Sequence, residues 1–543
     1  YTTAPYTTAP YTTVPSKIGV HAMNGADALI RALADAGVEV CFANPGTSEM
    51  QLVAAIDGEP RMRAILGLFE GVVTGAADGY GRMAEKPALT LLHLGPGFGN
   101  GSANLHNANR ANSPIINMIG DHATYHREYD APLTSDIHAF ASPVSDWIGD
   151  SESPEHLAEI GVQAFEAASI YPGQIASFIA PADHAWSSAP AHSRQVERIA
   201  PPTASDDAVK EAAEALRETT NSTLFLGGMA LRSDALFQAG RIAAATGTRL
   251  ITETFFTRLQ RGEGRVPVER LPYFGEQAAE YLQDFDAMVI VGTKAPVSFF
   301  AYPGKPSYLV ADRTRVVGLA DDRCNALDAL TRLADALEAP AEPAILQPFA
   351  QHALEQGPIN MVEMGKVLSN HIPENAIVCD EGATNGLGAF LFTGCARQHD
   401  WLTLTGGAIG MGLPLALGAS VACPNRKVIA LQADGSAMYT PQALWTMVRE
   451  NTDVAVVLLN NSSYAILNIE MQRVGVENPS DKAKSLLDLS NPTIDWVNIA
   501  NGMGMPASRV ETVAEFDSAI AEAMAHRGPR LIEVILPGFA PQA

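Results

Sequence analysis

Short apolar runs alternate with longer alanine-rich segments along most of the chain. Residues 38–43, 88–93 and 115–119 are apolar runs with the length and composition of buried strands, and segments of helical character separate them. Strands that alternate with helices in this way build parallel sheets that helices cover on both faces. The pattern therefore predicts an α/β fold made of doubly wound parallel sheets.

Two segments rich in proline and polar residues interrupt this alternation. They cover residues 187–206 and 338–348, where the apolar periodicity is lost. We interpret both segments as linkers, which divides the chain into three α/β domains at residues 23–190, 200–340 and 350–540. Each of these stretches is long enough to form a doubly wound sheet with its own core.

Residues 1–22 form a separate low-complexity tail. The pentapeptide that begins at Tyr1 is repeated from Tyr6 and nearly repeated from Tyr11. The tail lacks the apolar centre of a signal peptide, so we exclude it from the fold and leave its role open.

The composition is that of a soluble globular protein, with 47 % apolar and 18 % charged residues. No run approaches the roughly 20 apolar residues that span a bilayer, so we expect no membrane partner. The formal net charge of −24 repels phosphate backbones, which argues against nucleic-acid binding. Five scattered cysteines without C-x-x-C spacing argue against a disulfide framework or a zinc site and favour a cytoplasmic location.

Two polar turns follow predicted strands in the last third of the chain. Asp434 follows the strand at 427–433, and Asn461 follows the strand at 454–459, with a helical segment between them. Ligands of open α/β sheets bind at the carboxyl ends of strands, so these two side chains are placed to meet. Carboxylate and amide oxygens suit Mg²⁺, and Gly435 lets the backbone approach a diphosphate. Either turn alone is more often simply a turn.

Taken together, Asp434-Gly435-Ser436 and Asn460-Asn461 resemble the signature of the thiamine diphosphate-dependent enzymes, with Ala433 in place of its first glycine. This resemblance implies that magnesium is bound by Asp434, Asn461 and the main-chain carbonyl of Ser463. It also implies that the bound cofactor contacts Gly435, Ser436 and Tyr464.

Glu70 begins a segment that resembles the pyrimidine-binding domain of the same family. The glutamate stands in Leu-Phe-Glu-Gly, and residues 75–82 read G-A-A-D-G-Y-G-R. The resemblance implies that Glu70 hydrogen-bonds N1′ of the aminopyrimidine and so promotes loss of the thiazolium C2 proton. The alternative is a surface glutamate that begins a helix and complements its dipole.

Residues 405–414 and 380–385 resemble segments that support the cofactor in this family. Ile409 matches the large apolar residue between the two cofactor rings, and the Gly407 carbonyl matches the acceptor of the 4′-amino group. Ala383 and Thr384 match positions that border the diphosphate. The resemblance implies, in chain order, a pyrimidine-binding, a middle and a diphosphate-binding domain.

Two loops resemble those of benzoylformate decarboxylases within the family. Residues 44–49 place Thr47 where those enzymes bind the substrate carboxylate through a hydroxyl group. Residues 92–100 place His93 where they carry a catalytic histidine. An imidazole can orient a carboxylate and exchange a proton near neutral pH, although a histidine at a strand end is more often structural.

The chain also resembles acetolactate synthase large subunits, but its pocket segments differ from theirs. Pro132-Leu133 stands where the synthases carry Phe-Gln, residues 294–297 lack their R-F-D-D-R motif, and residues 464–467 replace Q-G-M-V. Residues 298–301 contain no match to the second histidine of benzoylformate decarboxylases. These differences leave the reaction within the family open.

We predict a thiamine diphosphate- and Mg²⁺-dependent enzyme that decarboxylates a small 2-oxo acid through an enamine and yields an aldehyde or a carboligation product. Acetolactate synthase-type carboligation is an alternative, and a non-catalytic regulatory homologue is an alternative from another class. The apolar candidates for a pocket that accepts a substituent larger than methyl are Phe299, Phe300, Leu467 and Ile469, for which core packing is equally consistent.

The resemblance also bears on further cofactors and on assembly. We do not expect FAD, because residues 225–229 are too generic a strand and turn to indicate a flavin site. In this family the pyrimidine domain of one subunit faces the diphosphate domain of another. A homodimer or homotetramer with the cofactor at the subunit interface is therefore implied.

Overall fold

The computed structural model describes residues 23–538, apart from residues 193, 195, 197, 198 and 477. The predicted tail, residues 1–22, lies outside this part of the chain. The described residues form three sheets along the chain, and the predicted class of three parallel-sheet α/β domains is confirmed. Within the described residues, no helix is long and apolar enough to cross a membrane.

The first sheet is parallel throughout. Its strands are β1 (Val40–Asn44), β2 (Arg63–Leu66), β3 (Ala88–His93), β4 (Ile115–Asp121), β5 (Trp147–Asp150) and β6 (Ile175–Pro181). Their order across the sheet is β2-β1-β3-β4-β6-β5. The accompanying helices are α1 (Gly25–Ala36), α2 (Met50–Asp57), α3 (Glu70–Ala84), α4 (Leu94–Arg110), α5 (Ile137–Ala141), α6 (His156–Ala168) and α7 (Ala182–Trp186).

The second sheet is smaller and also parallel. The region also contains β9 (Leu259–Arg261), which does not belong to this sheet. The strands of the second sheet are β7 (Ser222–Leu226), β8 (Arg249–Thr252), β10 (Glu269–Arg270), β11 (Ala287–Val291) and β12 (Arg315–Ala320). Their order is β10-β8-β7-β11-β12. The helices of this region are α8 (Asp206–Glu218), α9 (Ser233–Thr246), α10 (Gly275–Leu282) and α11 (Ala326–Ala336).

The third sheet contains β13 (Ala376–Glu381), β14 (His399–Thr403), β15 (Val428–Ala433), β16 (Val454–Asn460), β17 (Ala507–Val510) and β18 (Arg530–Ile535). Its order is β17-β18-β16-β15-β13-β14-β9. Its helices are α12 (Met361–His371), α13 (Ala383–Phe392), α14 (Gly412–Ala422), α15 (Asp434–Ala437), α16 (Gln442–Arg449), α17 (Ala465–Arg473), α18 (Asp481–Ser485), α19 (Trp496–Gly502) and α20 (Val513–Ala525).

Strand β9 departs from a simple succession of domains. It belongs by sequence to the middle region, yet it pairs with β14 and is antiparallel to it, with Leu259 opposite Trp401. Without β9, the polar backbone edge of β14 would have no strand partner on that side. The middle region therefore also completes the third sheet.

Helices α3 and α14 join the first and third sheets through direct backbone contact. A Cβ atom at Gly79 would lie 2.0 Å from the Leu415 carbonyl oxygen, and one at Gly418 would lie 1.8 Å from the Ala76 carbonyl oxygen. Real Cβ atoms do not approach oxygen so closely, so both positions require glycine. One hydrophobic cluster accordingly includes residues of both regions, such as Ala76 and Leu415.

A buried ion pair reinforces this contact. Arg82 and Asp78 are fully buried on α3 and lie 2.6 Å apart. The guanidinium group also donates to the Thr403 carbonyl at 2.8 Å and to the Thr405 hydroxyl at 3.0 Å. The two buried charges therefore pair with each other within α3, as buried charges require, and Arg82 also binds β14 and the segment after it.

We expect Gly418→Ala to separate α3 from α14, because its methyl group would overlap the Ala76 carbonyl. Overpacking of this kind typically costs about 1–3 kcal/mol, so the melting temperature should fall by roughly 5 °C in thermal unfolding. The matched control is Gly502→Ala, in helix α19, where a Cβ atom would meet nothing within 4 Å. Equal melting temperatures for the two variants would contradict the close backbone contact.

Candidate active site

Asp434 lies at the carboxyl edge of the third sheet, beside the turn that follows the neighbouring strand. Its carboxylate accepts the N–H of Gly435 at 2.9 Å and the N–H of Ser462 at 2.8 Å. Burial raises the pKa of Asp434 to about 6, and these two N–H donors oppose the increase. A buried carboxylate that is costly to ionise is well suited to a bound cation.

The two asparagines that end β16 occupy different environments. Asn460 is buried, donates to Glu533 at 2.7 Å and accepts from the Ser462 N–H at 2.9 Å. Asn461 is half-buried, and its side-chain oxygen accepts from the Ser463 N–H at 3.1 Å. Asn460 therefore holds the turn together, whereas Asn461 retains capacity for a ligand.

The predicted metal ligands present hard oxygen atoms. Between residues 23 and 538, where the chain is described, no hydrogen bond to the Ser463 carbonyl is found, and the Ser463 hydroxyl donates to the Leu487 carbonyl at 3.3 Å. In the same part of the chain, no three His, Cys, Asp or Glu side chains cluster closely enough to bind a metal. One carboxylate, one amide and one carbonyl fit Mg²⁺ that is also bound by phosphate and water.

Gly435, Ser436 and Tyr464 lie close together behind this edge. A Cβ atom at Gly435 would lie 2.5 Å from the Tyr464 ring, so glycine is required there for the ring to pack. The Ser436 hydroxyl donates to the Ala433 carbonyl at 3.1 Å and accepts from Gln432 at 2.7 Å. The Ser436 hydroxyl therefore makes its hydrogen bonds with residues of β15.

Ala383 and Thr384 begin helix α13, directly beyond β13. Ala383 has a φ of +47°, a conformation that residues with a Cβ atom rarely adopt. The first N–H groups of a helix have no acceptor within the helix, which makes its amino end a favourable place for an anion. Ala383 is exposed and Thr384 is half-buried, so both are accessible to a diphosphate.

The segment that carries Gly407 and Ile409 is held by Glu381, a residue that the sequence reasoning did not single out. The Glu381 carboxylate accepts the N–H groups of Gly410 at 2.6 Å and Gly412 at 2.5 Å. Burial raises its pKa, and these donors oppose the increase. Gly407 has a φ of +75°, and Ile409 is half-buried at the end of this turn.

Glu70 is the first residue of α3 and lies at the carboxyl edge of the first sheet. Its side chain is buried, and one carboxylate oxygen accepts from the Asn100 amide at 2.9 Å. Among the described residues, no other hydrogen bond to this carboxylate is found. The second oxygen is therefore available to a ligand.

His93 ends β3 and lies against a second carboxylate, Glu49. Its Nδ1 is 2.8 Å from a Glu49 oxygen, so we assign Nδ1–H as the donor to this carboxylate. Glu49 also accepts from the Ser48 hydroxyl at 2.6 Å and the Gly46 N–H at 2.6 Å. The opposite ring nitrogen of His93 is left for a ligand.

Thr47 lies in the same loop as Glu49, after β1, and it is exposed, so its hydroxyl is accessible to a ligand. Sequence reasoning identified Thr47 and His93 but missed Glu49, which is fully buried and orients the imidazole. The sequence does show a carboxylate, Glu49, in the loop after β1. Only the fold shows that it contacts His93, which lies 44 positions later.

Two family models match separate parts of this chain. The model for the N-terminal TPP binding domain of thiamine pyrophosphate enzymes matches residues 23–144, and the model for the C-terminal TPP binding domain matches residues 382–534. A "Putative acetolactate synthase large subunit IlvX" of Mycobacterium tuberculosis is 51 % identical, covering 95 % of this chain and 100 % of that protein. The chain belongs to the thiamine pyrophosphate enzyme family. It is a thiamine diphosphate-dependent enzyme, and the family resemblance of its motifs is confirmed.

More distant similarities extend to decarboxylases. A benzoylformate decarboxylase of Pseudomonas aeruginosa is 27 % identical, covering 92 % of this chain and 96 % of that protein. A solved structure of a thiamine diphosphate-dependent 4-hydroxybenzoylformate decarboxylase from Rhodococcus jostii has a TM-score of 0.83 and 23 % identity, covering 95 % of this chain and all of that one. The structural likeness shows the shared fold.

The candidate site residues of this thiamine diphosphate enzyme form two sets. Thr47, Glu70 and His93 lie at the carboxyl edge of the first sheet, and the residues around Asp434 lie at that of the third sheet. The two regions touch through Asn104, whose amide donates to the Gly71 carbonyl at 2.7 Å and to the Gly410 carbonyl at 3.4 Å.

The predicted pocket residues lie beside the second set. Phe299 packs on Gly407, where a Cβ atom would be 2.9 Å from its ring. Phe299, Phe300 and Leu467 are 43 %, 56 % and 45 % exposed, and Ile469 is half-buried. The first three are therefore not core residues, which removes the alternative of ordinary core packing for them.

We expect Glu381→Gln to loosen the turn that carries Gly407 and Ile409, because an amide cannot accept two N–H bonds as strongly as a carboxylate. Hydrogen bonds to charged groups are typically worth about 1.5–3 kcal/mol, so thermal unfolding should show a melting temperature lower by roughly 5 °C. Thiamine diphosphate affinity, measured by calorimetry, should fall about tenfold. Exposed Glu374→Gln is the control, and indistinguishable behaviour of the two variants would refute this role.

Proposed function

We propose that this enzyme uses thiamine diphosphate and Mg²⁺ to decarboxylate a small 2-oxo acid without oxidation. The observation that carries the proposal is the isolated Glu70 carboxylate, with one oxygen fixed by Asn100 and the other available. A protein that only bound the cofactor, such as a regulatory homologue, would have no use for a buried acid with a free oxygen. Such a group is costly to retain unless it takes part in chemistry.

Cofactor binding is assigned to the edge of the third sheet. Asp434, Asn461 and the Ser463 carbonyl would hold Mg²⁺, which in turn would bind the diphosphate. Gly435, the N–H of Ser436 and the amino end of α13 at Ala383 and Thr384 would surround its oxygens. Tyr464, packed against Gly435, would close this part of the site.

Activation is assigned to Glu70. When bound, thiamine diphosphate supplies a carbanion that adds to the ketone and an electron sink that lets carbon dioxide leave. Glu70 would share a proton with N1′ of the aminopyrimidine through its free oxygen, while the Gly407 carbonyl would accept from the 4′-amino group. Ile409, held by the turn that Glu381 fixes, would support the bent shape of the cofactor.

Substrate handling is assigned to Thr47 and His93. The exposed Thr47 hydroxyl would donate to the substrate carboxylate. The His93 ring is oriented by Glu49, so its outer nitrogen would be placed to exchange a proton with the reacting carbon or oxygen. Protonation of the carbon would release an aldehyde, whereas a second carbonyl compound would give a carboligation product.

Acetolactate synthase-type carboligation is the second candidate. It is supported by the name of the 51 % identical relative and by the names of further relatives, including the large subunit of Escherichia coli isozyme 1, which is 23 % identical. Both routes share every step up to loss of carbon dioxide, so product analysis separates them.

We also propose a homodimer or homotetramer in which two chains share each cofactor. Large apolar side chains are exposed at both carboxyl edges, including Leu68 at the first sheet and Met438 and Tyr439 at the third. Exposed large apolar groups at these edges are consistent with surfaces that a partner covers.

We propose that the enzyme needs no FAD. At the carboxyl ends of β7 and β11, a Cβ atom at Gly292 would lie 2.5 Å from the Gly227 carbonyl oxygen, so the two loops touch. Glu253, with its pKa raised to about 7 by burial, accepts from the Thr293 hydroxyl at 3.0 Å beside them. This closed, acidic edge disfavours a dinucleotide diphosphate.

The function test is a set of incubations with thiamine diphosphate, Mg²⁺ and either pyruvate, a branched 2-oxo acid or benzoylformate. We expect carbon dioxide and an aldehyde or hydroxyketone, and we expect Glu70→Gln to lower the rate at least about a hundredfold while the cofactor still binds. Glu374→Gln serves as the control. Full activity of Glu70→Gln, or no turnover of any acid by the wild type, would refute the proposal.

The surface beside Gly407 favours a substrate with an apolar substituent larger than methyl. We name the five packed rings the aromatic shelf: Phe255, Tyr273, Phe274, Phe299 and Phe300, with neighbouring centroids 5.2 to 6.0 Å apart. Arg473 of helix α17 lies over the Phe274 ring, 4.3 Å from its centroid, and Tyr302 donates to Glu470 of the same helix at 2.5 Å, so the shelf lies against α17. Phe300 is the most exposed of the five rings.

We expect Phe300→Ala to lower kcat/KM for benzoylformate about tenfold and to leave kcat/KM for pyruvate unchanged. The lost aromatic contact is worth roughly 1 kcal/mol or more and is made only with the larger substrate. Steady-state kinetics with both acids measure the ratio, and Ile345→Ala, at a position that is 68 % exposed, is the control. An unchanged ratio would exclude the shelf from the pocket.

A further inference from the structure

Three asparagines lie along one side of helix α4, at positions 100, 104 and 107. Their spacing of four and three residues places them on the same helical face. We name this set the asparagine ladder. Asparagine is a poor helix former, so three in one row call for a reason other than helix stability.

The first member, Asn100, contacts the acid of the active site. Its amide nitrogen donates to one oxygen of Glu70 at 2.9 Å. The Glu70 main chain is fixed independently, because the Thr74 hydroxyl donates to its carbonyl at 3.1 Å and to the Gly101 carbonyl at 2.9 Å. The Glu70 side chain therefore depends on Asn100 alone, among described residues, for its direction.

The other members are buried and face the cofactor-supporting turn. Asn104 donates to the carbonyl groups of Gly71 and Gly410, at 2.7 and 3.4 Å. Asn107 donates to the Ala408 carbonyl at 2.7 Å and accepts the Ala408 N–H at 3.1 Å. One helix face thus binds the residue after Glu70 and both neighbours of Ile409.

An amide is chemically suited to this task. It does not titrate at ordinary pH, so it can hold a carboxylate oxygen without exchanging a proton with it. Fixing a glutamate side chain in advance removes rotamer freedom that would otherwise be lost during each reaction.

We propose that Asn100 is the positioning residue of Glu70, and that the other members of the asparagine ladder anchor the helix that carries Asn100 to the turn around Ile409 of the same chain. Asn100 holds one Glu70 oxygen so that the other faces the pyrimidine ring. This inference rests on the proposed function, because it assigns a partner to the activating acid.

The test uses Asn100→Ala in the full-length protein. Asn100 is exposed, so its replacement should leave the melting temperature unchanged. We expect kcat for the best 2-oxo acid to fall about tenfold, with KM and the thiamine diphosphate dissociation constant within about twofold of wild type. The near-ultraviolet circular dichroism of the bound cofactor, recorded without substrate, should also change, because it reports the state of the pyrimidine ring.

Two further variants sharpen the result. Asn100→Asp has the same size but no donor and should be at least as impaired as Asn100→Ala. Asn109→Ala is the matched control on the same helix, where the amide donates to exposed Asp146 at 3.2 Å, and it should behave as wild type.

The outcomes separate this inference from the proposed function. If Asn100→Ala keeps its kcat within about twofold and an unchanged dichroism spectrum while Glu70→Gln is inactive, the positioning role is refuted and the proposed function stands. If Glu70→Gln is as active as wild type, both are refuted. A melting temperature that falls together with kcat would show a structural role and also overturn the inference.

Discussion

The backbone contact between helices α3 and α14 is the constraint on which the candidate site depends. Glu70 is the first residue of α3, and the turn with Gly407 and Ile409 leads directly into α14. Within one chain, the distance between these two parts is therefore set by how closely the helices approach. Because two chains share each cofactor in the proposed assembly, the helix contact fixes the spacing between the two half-sites that one chain contributes. Gly79 and Gly418 allow an approach that any side chain would block. The buried Arg82 side chain, paired with Asp78 on the same helix, adds hydrogen bonds to Thr403 and Thr405 in the segment that precedes α14.

Buried carboxylates at the strand ends have distinct environments that suit distinct tasks. Glu381 accepts two backbone N–H groups and an amide, so its bonding capacity is used within the protein. Glu49 is similarly surrounded and directs His93. Asp434 has a pKa raised to about 6 and lies beside further oxygen ligands, whereas Glu70 has one fixed oxygen and one free. Asp434 and Glu70 can still bind a ligand through their oxygens, and these are the two acids to which we assign metal binding and cofactor activation.

Sequence patterns predicted the parallel sheets because a strand that is buried on both faces is a nearly continuous run of apolar residues. The run at residues 88–93 coincides with β3, and the strands before Asp434 and Asn461 are neighbours in the sheet, so their turns lie together. Strand β9 was missed because three residues carry no periodicity and because its partner strand is distant in sequence, with Gln260 opposite Asp400, 140 positions later.

The supporting residues of the site could not be predicted from the sequence. Glu49, Glu381 and Asn100 act through contacts with residues 29 to 44 positions away, and only the fold determines those contacts. The Ser436 hydroxyl faces the sheet edge, a direction that no motif encodes. The roles of Glu70, His93, Thr47 and the metal ligands remain predictions that rest on family resemblance and on this geometry.

The most direct test of the account is the rate at which the C2 hydrogen of bound thiamine diphosphate exchanges with deuterium, measured by rapid quench and NMR without any substrate. The account predicts exchange at least about a hundredfold faster than for the free cofactor, and loss of that acceleration in Glu70→Gln. Exchange no faster than in free solution, with cofactor binding established by calorimetry, would contradict the claim that this chain activates its cofactor.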